Sequence, residues 1–287
     1  MISNKSYIIY DLDKFTYGSV IIFLEFLNQY KILTNKKLTV FIVNKNNFLR
    51  EILGLVKKSQ LSKRIILYQN FKELFSFYKQ NNSKFVQKIN RNNFYNYNQN
   101  SIIPIQKHFN LKLDLSFKLN FIDKRFLNKN LNVNNKIKVC VNLNFFNKKK
   151  VGSAKIKEWK KFFFKCGLEK NLMFYFIGNN NITCLKEFNN IIFLNDYSMS
   201  LAQEIKFAQN CHCFIGSASG PSTIFLFSTT PYLIFKHPNH HPKTYKKEIL
   251  GKKQPKFSCK NQFLLNIFED EKIIYSYFKR IIKGIKI

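Results

Sequence analysis

Short apolar runs alternate along this chain with segments whose apolar residues recur at helical spacing, and that alternation sets the expected fold class. Tyr7-Ile8-Ile9-Tyr10 reads as a buried strand. After Asp11-Leu12-Asp13 comes a helix in which Tyr17, Val20, Ile21, Leu24 and Leu27 share a face. Residues 38–43 predict a second strand, 48–55 a short helix, 64–68 a third strand and 71–78 a further helix. This β-α-β-α-β order predicts a parallel sheet covered by helices.

Residues 80–135 are dense in Asn and Lys with weak periodicity, and 128–135 reads as a linker. The boundary placed there gives a short N-terminal domain over 1–130 and a second domain over 131–287. The alternation resumes with a strand at 137–143 and a helix from 153 to 166, with Ile156, Trp159 and Phe163 on one face. Gly167 is expected to stop that helix in the left-handed conformation. A strand at 172–177 ends in Gly178, and a shorter one follows at 191–194. Ser200 and Gln203 have capping-box spacing ahead of a helix that turns Leu201, Ile205 and Ala208 inward. A strand at 211–215, a helix at 222–227, a strand at 232–235 and a terminal helix at 271–285 complete a second parallel unit.

Between the strand at 211–215 and the helix at 222–227 lies the run Ser217-Ala218-Ser219-Gly220-Pro221-Ser222-Thr223. A strand feeding a Gly/Ser turn that opens a helix presents backbone N–H groups and a partial positive charge. Such a turn suits a phosphate, which makes Ser219, Gly220, Pro221, Ser222 and Thr223 a candidate anion site.

The 287 residues carry 48 Lys and Arg against 16 Asp and Glu, a formal net charge of +32. Charge of that size points to nucleic acid, an anionic membrane face or an anionic substrate. The joint loading with Lys, Asn, Ile and Phe is also what an AT-rich genome produces by codon usage alone. Most aromatics fall inside apolar strands and helices, and the lysine clusters are scattered, so the pattern reads as core and solvated surface rather than a stacking surface for single strands. No nucleic-acid partner is expected.

Six cysteines without a CxxC pair suggest free thiols in a reduced cytosolic compartment. Cys211-His212-Cys213 on a strand would turn its thiols and imidazole to opposite faces, against a zinc site. The N-terminus lacks the apolar region and cleavage site of an export signal, and no apolar run reaches the roughly 18 residues needed to span a bilayer. A cytoplasmic protein is expected, with at most peripheral contact at the inner membrane face.

The second half resembles the nucleotide-sugar domain of GT-B glycosyltransferases, most closely the ADP-heptose:lipopolysaccharide heptosyltransferase family. The residues that carry the resemblance are 139–143, Lys148-Lys149-Lys150, Trp159, Phe176-Ile177-Gly178, Leu201-Ala202-Gln203-Glu204, Ser219-Gly220-Pro221-Ser222-Thr223 and Pro231, all in the family's order. Ala218 stands where the family usually has Asp, and Thr223 where it usually has His. The resemblance implies an α/β architecture of two Rossmann-like domains with parallel sheets facing across a cleft. It also implies a nucleotide diphosphate-sugar donor and a glycan or lipid-linked acceptor, as in cell-envelope glycan synthesis.

Transfer of a sugar requires charge stabilisation on the leaving diphosphate and, where configuration inverts, a carboxylate base. The turn at 219–223 and Lys150, with its neighbours Lys148 and Lys149, are the candidates for the first role, with no metal and no cofactor. Asp13, with Asp11 beside it, is the candidate base at the end of the first strand, where ligands of open α/β sheets bind. Either aspartate would alternatively serve as a helix N-cap. Lys236, His237, Gly178 and Asn144 complete the donor-binding candidates at strand ends. The competing readings are a basic nucleic-acid-binding protein and a sugar-nucleotide epimerase or hydrolase of the same fold.

Overall fold

The computed structural model describes residues 5–10, 16–43, 49–68, 71–86, 135–145, 151–178, 182–249 and 252–285. The chain divides into two compact units, Met1–Asn110 with Leu115–Phe121, and Leu111–Asp114 with Ile122–Ile287. The linker expected at 128–135 lies outside the described residues except for Asn135.

The first unit holds β1 (Lys5–Tyr10), α1 (Tyr17–Thr34), β2 (Lys37–Val43), α2 (Leu49–Ser59), β3 (Arg64–Tyr68) and α3 (Phe71–Asn81). Its parallel sheet has the order β1-β2-β3. Alternate residues of a strand face opposite sides, and both sides are apolar here. Tyr10 packs on Phe23 of α1 at 4.7 Å between ring centroids, while Tyr7 meets Phe41, Phe77 and Phe85 at 5.3–5.5 Å on the other side. Helix α1 is buried almost throughout from Gly18 to Leu27, as an all-round apolar helix must be. Its N-cap is Thr16, whose side chain accepts from the Ser19 N–H while Ser19 Oγ accepts from the Thr16 N–H. Neither aspartate therefore caps this helix.

The second unit carries β4 (Ile137–Asn142), α4 (Ile156–Cys166), β5 (Leu172–Phe176), β6 (Ile191–Phe193), α5 (Leu201–Ala208), β7 (Cys213–Ser217), α6 (Thr223–Leu226), β8 (Tyr232–Phe235), α7 (Pro242–Glu248), β9 (Gln262–Leu265) and α8 (Glu271–Lys283). The six strands are all parallel in the order β6-β5-β4-β7-β8-β9. This is the doubly wound Rossmann order, with its switch point between β4 and β7. On one face Trp159, Phe162, Phe163 and Cys166 of α4 and Ile274, Phe278 and Ile281 of α8 cover Val139, Val141, Phe174, Phe176 and Ile215. On the other face Phe207 of α5 meets Tyr175 at 4.8 Å, and Phe225 of α6 stacks on Phe214 at 4.6 Å.

Several local expectations are refined. The Ser200 capping box is present, with both reciprocal bonds formed. Gly167 ends α4 at φ −61°, so the stop needs no left-handed residue. Strand β7 begins at Cys213 rather than 211, and His212 just before it accepts the Lys138 N–H through Nδ1 at 2.9 Å. The sheet also gains β9, which the sequence reading did not include. All six cysteines are free, four of them buried.

Candidate functional site

In a parallel sheet all C-terminal strand ends lie along one edge, and ligands of such folds bind there at the switch point. Asn142-Leu143-Asn144 leave β4 at that edge, and Gly216-Ser217-Ala218 leave β7 beside them. The two backbones approach so closely that a Cβ at Gly216, at φ +151°, would sit 2.0 Å from the Asn142 carbonyl oxygen. Gly178, at φ +80° after β5, packs against the same point: a Cβ there would lie 2.9 Å from Asn142 Nδ2 and 3.5 Å from Pro221 Cγ. Only glycine meets both requirements at these positions.

Asn144 joins the two strand ends. Its N–H donates to Ser217 Oγ at 3.2 Å and its Nδ2 to the Ala218 carbonyl at 2.9 Å. Asn142 is buried; its Nδ2 donates to the Ile177 carbonyl at 2.7 Å, and its Oδ1 has no protein partner. Gly178 N–H donates to Glu204 Oε1 at 3.2 Å, and burial holds the Glu204 carboxyl above its ordinary value against that hydrogen bond.

The turn at 219–223 differs from its expected form. Ser219 N–H donates to Ser222 Oγ at 3.0 Å, and Ser222 N–H donates to Ser219 Oγ at 3.3 Å. Thr223, Ile224 and Phe225 donate to the carbonyls of Gly220, Pro221 and Ser222, the tight spacing of a short 3₁₀-like turn. Helix α6 is four residues long, so its dipole is small. The Ser222 and Thr223 hydroxyls turn back onto the Ser219 carbonyl at 2.8 and 3.3 Å. Pro221 has no N–H, which leaves the Gly220 N–H and the Ser219 hydroxyl proton as the donors this turn does not use itself. The expected cradle of successive amides is thus corrected to one amide and one hydroxyl. Gly220 does not have positive φ either, so the bend does not demand glycine there.

Lys236 and His237 follow β8 along the same edge. The Lys236 N–H donates to the Leu265 carbonyl at 2.8 Å, and its own carbonyl accepts from Asn266 Nδ2 at 3.0 Å. His237 Nδ1 accepts the Asn239 N–H at 3.2 Å, and its ring meets Phe268 edge-on at 5.0 Å. Asn144, Gly178, residues 219–223, Lys236 and His237 are therefore gathered on one edge of one sheet. Asp11, Asp13 and Lys150, with Lys148 and Lys149, lie outside the described residues.

Sequence reasoning missed Glu269. This carboxylate is 6% exposed. It accepts the Lys155 N–H through Oε2 at 3.0 Å and the Ser217 hydroxyl through Oε1 at 3.4 Å. Burial raises its pKa, opposed by the Lys155 N–H, His237 and Ser217. The only sequence signal was an acidic pair, Glu269-Asp270, ahead of the terminal helix, and Asp270 explains itself as the cap of α8. Among the described residues there is no group of three or more His, Cys, Asp or Glu side chains able to hold a metal ion. No described helix is long and apolar enough to cross a membrane.

No protein-family description matches the chain, and no curated protein matches it in sequence. Solved structures do match in three dimensions. The ADP-heptose lipopolysaccharide heptosyltransferase II of E. coli aligns with a TM-score of 0.59 at 9% identity, over 97% of this chain and 98% of its own. The fold is that of the GT-B transferases. The glycosyl transferase family 9 structure from Veillonella parvula aligns with a TM-score of 0.54 at 11% identity, over 98% of this chain and 90% of its own. E. coli heptosyltransferase WaaC with ADP-2-deoxy-2-fluoro heptose aligns with a TM-score of 0.51 at 11% identity, over 97% and 99%. At such identities it is the GT-B architecture that is held in common.

Proposed function

We propose that this chain is a glycosyltransferase that takes a sugar from a nucleoside diphosphate sugar and passes it to a glycan or lipid-linked acceptor of the cell envelope. The observation that carries the reading is the site's position: the switch point of a GT-B sheet, in a fold whose solved examples include one holding an ADP-linked fluoro-heptose. The Gly220 N–H and the Ser219 hydroxyl would donate to the diphosphate, and Asn144 would shape the floor beneath it. Lys150 and Lys236 would neutralise the charge that develops on the leaving group, a role this reading gives to lysine rather than to a metal, with His237 beside them. Asp13, or Asp11, would take the proton from the acceptor hydroxyl. The basic surface would hold the enzyme against an anionic membrane face while it works.

A thermal-shift screen against ADP-, UDP-, GDP- and CDP-linked sugars tests this directly. A ligand that binds only the folded state stabilises it by about 2.7 kcal/mol at a hundred times its dissociation constant. A rise in melting temperature with one nucleotide family supports the reading. No shift with any of them, together with DNA or RNA retention that falls steeply with salt, would replace it by the nucleic-acid alternative.

A further inference from the structure

We propose that Glu269 is a positioning residue that holds both stems of the connection between β4 and α4 at the switch point. The inference rests on the function proposed above only for the ligand the positioned groups receive. At the first stem, Asn144 N–H donates to Ser217 Oγ, whose hydroxyl proton goes to Glu269 Oε1. At the second stem, Lys155 N–H donates to Glu269 Oε2. The stems are also joined to each other, Ala154 N–H donating to the Asn144 carbonyl at 2.7 Å. One buried carboxylate thus fixes where the chain leaves β4 and where it enters α4.

A second bond of the same kind runs the other way. Glu158 of α4 accepts the Glu271 N–H at the start of α8 through Oε2 at 3.3 Å. The starts of α4 and α8 therefore each receive a carboxylate from the other's segment, which locks their relative register. A buried acid is costly unless its oxygens are hydrogen-bonded, and here both are. An apolar residue at 269 would pack without that cost and would release both stems. Asn144 is the group that Glu269 acts through, so the positioned element is a wall of the candidate site rather than remote core.

The test combines amide exchange at Asn144 and Lys155 with calorimetric titration of ADP, in wild type, Glu269→Ala, Glu269→Gln and Ser217→Ala. Glu269→Ala should accelerate exchange at both amides and weaken ADP binding about tenfold. In Glu269→Gln, Oε1 can accept the Lys155 N–H while Nε2 donates to Ser217 Oγ, so exchange and affinity should return to within about threefold of wild type. Ser217→Ala should release Asn144 and leave Lys155 protected. Wild-type exchange at both stems in Glu269→Ala, or equal loss in the Ala and Gln variants, would overturn the proposal. If Glu269→Ala fails to fold, Glu269→Leu decides: faster exchange at both Asn144 and Lys155 supports the tie, and unchanged exchange at both refutes it. If wild type binds no ADP, the exchange data still judge the tie, and only the donor reading is lost.

Discussion

The turn at 219–223 and the carboxylate of Glu269 sit at the same edge of the six-stranded sheet and handle hydrogen bonding in opposite ways. The turn satisfies most of its own groups: Ser219 and Ser222 exchange bonds and Thr223 folds back on Ser219, which leaves the Gly220 N–H and the Ser219 hydroxyl proton over. Glu269 makes its bonds at long range, to Ser217 52 residues away and to Lys155 114 residues away. Small polar residues in a row mark where a backbone bends, because their side chains compete for neighbouring amides. They do not mark a row of free donors, since the same side chains occupy most of the amides. A lone acid shows nothing locally, yet once buried it organises whatever backbone reaches it.

The largest test of this contrast is Gly216, whose close approach to Asn142 lets Ser217 reach both Asn144 and Glu269. Gly216→Val should abolish folding, because the added Cβ meets the Asn142 carbonyl and the backbone sits at φ +151°. A cost above about 4 kcal/mol is a large part of the roughly 5–15 kcal/mol that holds an ordinary domain together. Soluble, cooperatively melting Gly216→Val protein would show that β4 and β7 need not touch.

Ser222→Ala probes the self-satisfied region. It removes an acceptor for the Ser219 N–H and a bond to the Ser219 carbonyl, and should lower stability by about 1 kcal/mol in urea denaturation. An unchanged midpoint would mean that water replaces both bonds and that the turn's amides are more available than its geometry indicates.

Glu204 gives the smallest and most specific effect, because it is a second buried carboxylate with a distant backbone partner. Burial holds its folded-state pKa above the ordinary 4.5, so the folded protein binds this proton more tightly than the unfolded chain does. The resulting penalty is full above the raised value and vanishes as pH falls to 4.5 and below. Glu204→Gln, which keeps an acceptor for the Gly178 N–H, should therefore melt above wild type at pH 7, with the gap closing toward pH 4.5. A gap that widens on acidification would reverse the sign and the account of that residue.

Much of the architecture was legible because strands buried on both faces read as apolar runs, and because Ser200 and Gln203 declare a helix start by local chemistry. The strand β9 was not, since Gln262-Phe263-Leu264-Leu265 is short and set among Lys260, Asn261 and Asn266, with its pairing to β8 supplying what the pattern lacks. At the site, Gly178 and Asn144 were legible as residues at strand ends. The amide cradle was overread, because helix α6 is a single turn and its N–H groups find carbonyls three residues back. Glu269 was illegible for the reason given by its partners' distance along the chain.

The proposed donor site is the switch-point edge, with Gly220 at its open amide, and its ligand is a nucleoside diphosphate. Calorimetric titration of ADP into wild type and Gly220→Asp tests it most directly. Wild type should bind saturably and the variant should lose binding, because its carboxylate would stand beside the phosphates, with the melting temperature of the free protein little changed. Equal affinity in both proteins, or no binding of any nucleoside diphosphate by wild type, would contradict it.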